Sequence, residues 1–474
     1  MTLPAKFVER VLRDLGGTEG AALCAALDAE PPVSVRLNPA KTGADTLPAG
    51  PDAGLPVPEA AGLPALAIAG RVPWSRDGRY LAVRPSFTLD PDFHAGAYYV
   101  QEASSQFVGH LLAAVRTEGA RILDLCAAPG GKTTLYASLA GPDGLVVANE
   151  IDRRRASVLA DNVRKWGTGN VAVTTCEPRA LGDFEAWFDV VAVDAPCSGE
   201  GMFRKDPDAR GEWSEGNVKQ CAARQDEILR EAWRALKPGG TLVYSTCTFN
   251  RDEDEGALER MAAWAGDEIA ESEETAVEDA WGIACGRVGA FRTFRFYPHR
   301  TCGEGFFAAV ARKSFDAGGR VRAPKARRTV FAAVDRKTAG ELARWVRNPG
   351  GMRFAAVADT CYAWYAAQAD AVRTLSEALP VIYSGVALGQ VFKGVLKPDP
   401  ALAFFDGMNR GALPAAELDD EETLRFLRRQ DIAAGGLAEG MNLVCSRGRA
   451  LGFAKRIGAR VNNLYPNSLR IIKQ

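Results

Sequence analysis

The sequence predicts an α/β protein: a parallel, doubly wound core preceded by a small α+β domain and followed by a β-rich C-terminal region. Three observations predict it. Short apolar runs alternate with helix-length segments through the middle of the chain, one run leads through a Gly-Gly turn into a helix, and glycine-broken β-like pieces dominate beyond about residue 330. The expected organisation is 1–102, 103–313, a linker at 314–330, and 331–474.

At the N-terminus, Phe7, Val8, Val11, Leu12 and Leu15 recur on one face of a helix, and Pro31 and Pro32 precede a strand-like run at 33–37. The stretch 44–70, rich in Ala, Gly, Leu and Pro with few charges, reads as an irregular connector. Buried strands are expected at 121–125, 145–150, 171–175, 189–194 and 241–246. The intervening 153–166 and 217–236 are long enough for crossover helices, and 291–297 and 305–310 could complete the sheet. A Gly, Ala and basic stretch then forms the linker, followed by a helical pattern at 334–346 and β-like runs at 381–389 and 441–445.

Composition bounds the function. With 474 residues, 47% hydrophobic and 25% charged, the chain is a folded protein of more than one domain. No run of eighteen apolar residues lacks charges, and 1–10 lacks the apolar core of a secretory signal, so a cytoplasmic protein without a membrane partner is expected. Ten cysteines contain no Cys-x-x-Cys pair and only three histidines accompany them, which argues against a structural zinc site or a disulfide framework; no metal is expected. The net charge of −1 conceals segregation. Residues 251–280 carry −10, so the remaining 444 carry +9, with +6 over 321–350 and +8 over 425–474. The C-terminal third therefore reads as facing a polyanion, or as no more than a solvated charged surface.

The segment RILDLCAAPGGKTT, 121–134, is a strand, a turn and a helix, and Gly130 and Gly131 let backbone N–H groups approach a ligand at the helix N-terminus. It is not a phosphate-binding Walker loop, because Cys126 occupies the position of the first glycine, and it lacks the GxGxxG spacing. Glu150 ends the next strand, where a carboxylate can accept both hydroxyls of a ribose. Glu177 and Asp194 end the third and fourth strands, so four strand ends converge on one crevice. Without a phosphate-binding lysine motif, an adenosyl sulfonium cofactor fits better than ATP.

Cys197, in DAPCSGEGMFRKDP, and Cys247, in STCTF, both follow strands into that crevice. Cys24, Cys176, Cys221, Cys285, Cys302, Cys361 and Cys445 read as small core hydrophobes, but these two stand in polar loops. A thiol becomes a thiolate only in a positive field or beside a base, and Lys132, Arg204 and Lys205 are the candidates. A thiolate adding to carbon 6 of a pyrimidine makes carbon 5 nucleophilic enough to attack a sulfonium methyl. Asp194 could hydrogen-bond the N3 and N4 edge and stabilise the developing charge, while the second cysteine assists release.

YYVQEASSQ, DLCAAPGGKTT, ANE with Arg155 five positions on, DAPCSGEGMFRKDP, STCTF and RFYPHRTCGEGFF occur in this order across 98–307. In these motifs the chain resembles the Nol/Nop/Sun family of RNA cytosine-5 methyltransferases. LPAKFVERVLRDLG, VSVRLNP, VPWSRDGRYL and GFAKRIGARVNNLYPNSLR extend the resemblance to the RsmF-type bacterial members that modify small-subunit ribosomal RNA. The resemblance implies a Rossmann-like core, S-adenosyl-L-methionine as cofactor, an N-terminal RNA-binding domain and a PUA-like RNA-binding end. It implies Cys247 as nucleophile and Cys197 as the partner that promotes release. It further implies Cys126, Ala127, Ala128, Pro129, Gly130, Gly131, Lys132, Glu150, Glu177 and Asp194 around the cofactor, with Glu150 at the ribose and Glu177, where many relatives carry Asp, near the adenine.

The expected partner is RNA, 16S rRNA or the small subunit first. The base must be single-stranded or turned out of its helix; Tyr98, Tyr99 and Phe203 are candidates to hold it, with plain packing the alternative for each. The same chemistry on tRNA or on another rRNA site stays open, as does a non-catalytic ribosome-assembly protein. DNA cytosine methylation is disfavoured, since it would make Cys197 the attacking residue.

Overall fold

A computed structural model describes residues 2–43 and 63–472. Of the connector expected at 44–70, residues 44–62 lie outside the described residues, and its end is a strand. Two helices, Ala5–Leu15 and Gly17–Ala26, precede an antiparallel sheet of β1 (Val33–Leu37), β2 (Ile68–Arg71), β3 (Gly78–Leu81) and β4 (Tyr98–Val100), in the order β2-β3-β1-β4. The first helix buries Phe7 and Val11, and it does so against the core: Phe7 meets the Phe203 ring edge-on with centroids 5.0 Å apart, among Trp213, Phe249 and Tyr297. An apolar stripe with no partner in its own short sheet is buried where an apolar surface is available.

The core sheet is built from β5 (Arg121–Asp124), β6 (Leu145–Asn149), β7 (Val171–Thr174), β8 (Phe188–Asp194), β9 (Leu236–Thr246), β10 (Ile269–Ala270), β11 (Ala284–Val288), β12 (Phe291–Phe296) and β13 (Phe306–Lys313). Its order is β11-β12-β13-β9-β8-β5-β6-β7, with β10 paired to β13 off this path. β9, β8, β5, β6 and β7 run parallel, and β13 pairs antiparallel with β9. The parallel strands read as unbroken apolar runs because helices cover both faces. On one side Glu215–Ala235 and Glu255–Ala265 contribute Ile228, Leu229, Leu258 and Met261; on the other Phe107–Ala113, Gly131–Ala140 and Arg153–Trp166 contribute Phe107, Leu111, Leu135 and Leu159. The strand order reverses between β5 and β8, which places the ligand crevice at the C-terminal ends of those two strands.

The C-terminal region forms two sheets. β14 (Ala332–Ala333), β15 (Met352–Val357), β16 (Thr360–Tyr365), β17 (Val381–Ser384), β18 (Val386–Phe392) and β19 (Val395–Pro398) are followed by β20 (Ala415–Glu417), β21 (Gly440–Ser446), β22 (Arg449–Ile457) and β23 (Arg460–Asn463). The orders are β14-β15-β16-β18-β19 and β20-β21-β22-β23. The region 331–474 does not stand apart from the core as the linker leads one to expect. β17 pairs antiparallel with β7, Val381 opposite Thr174 and Ser384 opposite Ala172, and extends the central sheet by one strand. The run expected at 381–389 is therefore two strands in two sheets. The break is Gly385, at φ +60°, where an added Cβ would lie 2.4 Å from the Ala363 carbonyl oxygen.

Candidate active site

β5 ends at Asp124 and the chain turns through residues 125–130 into the helix Gly131–Ala140. Gly130, at φ +110°, makes the turn, and a Cβ on it would come 2.9 Å from Leu159 Cδ1. A Cβ on Gly131 would press against the Tyr99 ring at 3.3 Å. Here lies a cavity of about 160 Å3 lined by Cys126, Ala127, Ala128, Pro129, Gly131, Lys132, Asp124 and Asp194, and by Tyr99 to Glu102 and Ser105. Gly130 shapes the turn without lining the cavity. The Cys126 thiol is pushed up by burial first and then by Asp124, so it serves as packing. From the N-terminal domain, Arg36 donates to Thr134 Oγ1 at 2.6 Å and to the Gly131 carbonyl at 3.1 Å, fixing the start of the helix.

Asp124 was not singled out from sequence. Burial pushes its carboxyl up to about 7, against the donation of Thr133 Oγ1 to its Oδ2 at 2.6 Å. The signal that would have found it is the one used for Glu150, a carboxylate closing a parallel strand. Gln101, Glu102 and Ser105 were also missed as cavity residues, because they reach the cavity from a segment outside the alternating pattern.

Glu150 is buried at the end of β6, beside the turn rather than in the cavity wall. Its Oε1 accepts from the Asp152 N–H at 3.0 Å and its Oε2 lies 3.3 Å from Arg155 Nη1, while Arg155 Nη2 donates to the Ala128 carbonyl at 3.1 Å. Glu177 begins the short helix Pro178–Gly182, exposed and without a side-chain capping bond. It does not line the cavity.

Cys197 and Cys247 come together, Sγ to Sγ 3.3 Å apart. The sheet brings this about: β8 and β9 are parallel neighbours with Asp194 opposite Ser245, so the residues just past both strand ends meet. Ser245 Oγ donates to Asp194 Oδ1 at 2.8 Å, and Lys132 Nζ lies 2.9 Å from Asp194 Oδ2. Burial alone would lower Lys132, but Asp194, followed by Asp124 and Cys247, holds it net above the usual lysine value. Lys132 is thus a permanent cation within the field of Cys247. Arg204 is spent elsewhere, donating from Nε to Glu304 at 3.0 Å, and Lys205 is exposed. The Cys197 thiol is raised well above its ordinary value by its hydrogen bond to Cys247 and then by burial. Cys197 therefore favours the thiol form, and either sulfur can be the donor in the contact between them.

A buried polar network grips the Cys197 loop. Glu253 Oε2 accepts from the Ser198 N–H at 2.9 Å and from Gln225 Nε2 at 3.0 Å, and its Oε1 accepts from Asn250 Nδ2 at 2.6 Å. Glu200 accepts from Trp213 Nε1 at 2.9 Å, from the Phe249 N–H at 3.1 Å and from Arg10 of the first helix. Nothing in the sequence pattern pairs residues some fifty positions apart in this way. Two of the aromatic candidates fall away. Phe203 is wholly buried against Phe7, and Tyr98 is buried with its hydroxyl on Asp90, because each fills an apolar cluster. Tyr99 lines the cavity, its hydroxyl 3.2 Å from the Pro129 carbonyl.

A ribosomal RNA small subunit methyltransferase F from Shewanella loihica is 31% identical over 418 residues, which span 84% of this chain and 83% of that protein. Its namesake from Klebsiella pneumoniae is 32% identical over 424 residues, 84% of each chain. Family models match at 111–312 (16S rRNA methyltransferase RsmB/F), 3–103 (N-terminal domain of 16S rRNA methyltransferase RsmF) and 414–471 (methyltransferase RsmF PUA domain). The chain belongs to the RsmB/F methyltransferase family. Its PUA domain is the sheet β20 to β23. A methyltransferase homolog protein from Pyrococcus horikoshii, 27% identical, superposes with a TM-score of 0.52 over 66% of this chain and all of that one. NSun6 from Pyrococcus horikoshii with SFG, at 20% identity and a TM-score of 0.51 over 65% of this chain and 98% of its own, shares the fold. As a member of this family the chain is an S-adenosylmethionine-dependent methyltransferase with a Rossmann-like core. Among the described residues no helix is long and apolar enough to cross a membrane.

Proposed function

We propose that the chain forms 5-methylcytosine in 16S rRNA, with Cys247 adding to carbon 6 of the target base. The observation that carries this reading is the thiol pair, 3.3 Å apart, just past the two strand ends that bring Asp194, paired with Lys132, into the wall of the Gly-turn cavity.

The residues fit the cofactor. A Cβ at 130 would meet Leu159 at 2.9 Å and one at 131 would crowd the Tyr99 ring, so the turn is fitted to bare backbone, and Asp124 and Asp194 in the cavity wall suit a cationic ligand. We assign Glu150, buried beside the turn, to the ribose hydroxyls, and Glu177, exposed beyond β7, to the adenine. When bound, S-adenosyl-L-methionine supplies an electrophilic methyl group on a sulfonium.

Cys247 reacts as a thiolate, with the Cys197 thiol beside it and the Lys132 cation nearby. Its sulfur bonds to carbon 6, and the electron pair displaced onto carbon 5 takes the methyl group. Asp194 accepts from the N4 amine and, with Lys132 beside it, steadies the charge that builds on the ring. A base then removes the carbon 5 proton, the carbon–sulfur bond breaks, and the Cys197 thiol stabilises the departing Cys247 thiolate. Tyr99 stands at the rim where a base turned out of the stack would enter. The basic tail and PUA sheet supply phosphate contacts and hence salt-sensitive association.

Two variants test the chemistry. Cys247→Ala abolishes methyl transfer from labelled cofactor while leaving cofactor affinity unchanged, and Cys197→Ala accumulates a covalent RNA adduct seen as a slow band on a denaturing gel. Activity in Cys247→Ala removes that residue as nucleophile. Bisulfite sequencing of rRNA and tRNA from cells with and without the gene tests the substrate; loss of a mark only in tRNA refutes the 16S assignment.

A further inference from the structure

Far along the chain from the Gly turn, a cavity of about 430 Å3 opens where three parts of the molecule meet. Lys41 comes from the N-terminal domain, Arg347, Phe404, Asp406 and Arg410 from the middle of the C-terminal region, and Arg449 from the start of β22 in the PUA sheet. Four cations thus face one carboxylate. Most of these cations are held by neutral acceptors. Lys41 Nζ donates to the carbonyls of Ala95 and Lys165, each at 2.7 Å, Arg410 Nη1 donates to the Gly448 carbonyl at 3.0 Å, and Arg347 donates to the Asp406 carbonyl. Carbonyl oxygens fix the donors in place and cancel little of their charge. Arg449 differs, lying 2.8 Å from Asp92.

Two further observations bear on the occupant. Asp406 is the single carboxylate in a wall whose other charged side chains are all basic. The cavity also has the volume of sites that hold small organic ligands, far more than a bare oxyanion fills. Burial brings the Lys41 ammonium down to about 7, with Asp406 opposing and Arg410, Lys165 and Arg449 adding to the fall; an anion in the cavity would restore its charge.

We infer that this cavity is a second nucleic-acid contact that takes one nucleotide of a single-stranded segment, its phosphate against Lys41, Arg347 and Arg410 and a sugar or base donor on Asp406. A strand seated there would be held at once by the N-terminal domain and the PUA sheet, which fixes how the rest of the RNA approaches the thiol pair. The inference rests on the reading of the chain as an RNA-modifying enzyme. The shared chemistry is a nucleotide phosphate, whose source is a strand or a free mononucleotide.

The test uses the full chain and the variant R347Q/R410Q, in which both altered residues are exposed. Unchanged S-adenosyl-L-methionine affinity certifies its fold. Wild-type protein and variant are titrated calorimetrically with AMP, inorganic phosphate and a ten-nucleotide single-stranded RNA at several salt concentrations. We expect the variant to lose at least tenfold in affinity for AMP and for the RNA, with a salt slope shallower by about 0.7 for each phosphate that the protein no longer neutralises. We also expect D406N to weaken AMP binding at least threefold without weakening binding of inorganic phosphate. AMP binding lost with RNA binding untouched would assign the site to a free mononucleotide and overturn the strand contact. Equal affinities for AMP and RNA in wild type and R347Q/R410Q would overturn the site altogether. RNA binding by wild type that the variant leaves intact sinks this inference alone, whereas no RNA binding by either protein sinks the RNA reading with it.

Discussion

Glu253→Gln changes one atom of a wholly buried side chain and is expected to loosen the loop that presents Cys197. In the native structure both carboxylate oxygens only accept: Oε2 takes the Ser198 N–H and Gln225 Nε2, and Oε1 takes Asn250 Nδ2. A glutamine amide must aim its NH2 group at one of these sets of donors. The neighbours cannot all turn to suit it. Asn250 Oδ1 already accepts from the Glu253 N–H at 2.9 Å, and turning Gln225 would forfeit its 3.0 Å bond to the Pro196 carbonyl. At least one charge-assisted bond is lost and two donors are left face to face, a cost of about 2–4 kcal/mol. Burial raises the Glu253 carboxyl above its usual range, opposed by its hydrogen bonds from Ser198 and Asn250. Urea denaturation should show the midpoint falling at unchanged slope, and single-turnover methyl transfer should slow more than S-adenosyl-L-methionine affinity falls. A variant within about 0.5 kcal/mol of wild type, with the same transfer rate, would show that the network does not position the loop.

The remaining predictions follow from the same site. Cofactor affinity should rise with pH up to about 7 and then level, by at most tenfold per unit, because Asp124 is pushed up to about 7 and only its ionised form attracts a cationic ligand. Asp124→Asn should flatten that profile in isothermal titration; an unchanged profile removes Asp124 from the cofactor. The same shift has a stability consequence of fixed sign. The folded state holds this proton more tightly than the unfolded chain, so stability falls as pH rises from the ordinary carboxylate value to about 7, and denaturant titration of Asp124→Asn should lack that fall. With Sγ atoms 3.3 Å apart in two unbridged cysteines, diamide should inactivate the enzyme through a Cys197–Cys247 disulfide, and dithiothreitol should restore it. Peptide mapping that finds neither cysteine in the disulfide would refute this.

The central strands were legible because burial on both faces forces continuous apolar runs at 145–149 and 188–194, and the crossover helix Arg153–Trp166 begins and ends where expected. Gly17–Ala26 was not, since a helix of small residues has no apolar stripe to detect. Nor was the fate of Val381–Ser384, whose pairing with β7 joins segments some two hundred residues apart. In the site, residues that close strands were readable, Asp194 and the two cysteines above all, because parallel register alone brings them together. Asp124 closes β5 and was open to the same reading, whereas Glu200 and Glu253 escaped notice for a different reason. Each of these two is a buried carboxylate whose meaning lies in its donors, most of which come from distant stretches of sequence.

The strand that the C-terminal region lends to the central sheet bears on how the protein is made. During synthesis the backbone groups along the outer side of β7 have no neighbour until the ribosome has delivered residue 384, long after the methyltransferase segment itself has emerged. An uncovered edge of this kind invites pairing with the wrong chain. Cutting the gene at the apparent linker would leave that edge bare for good, so the isolated catalytic segment should aggregate, and the tail is a folding partner as much as an RNA-binding appendage.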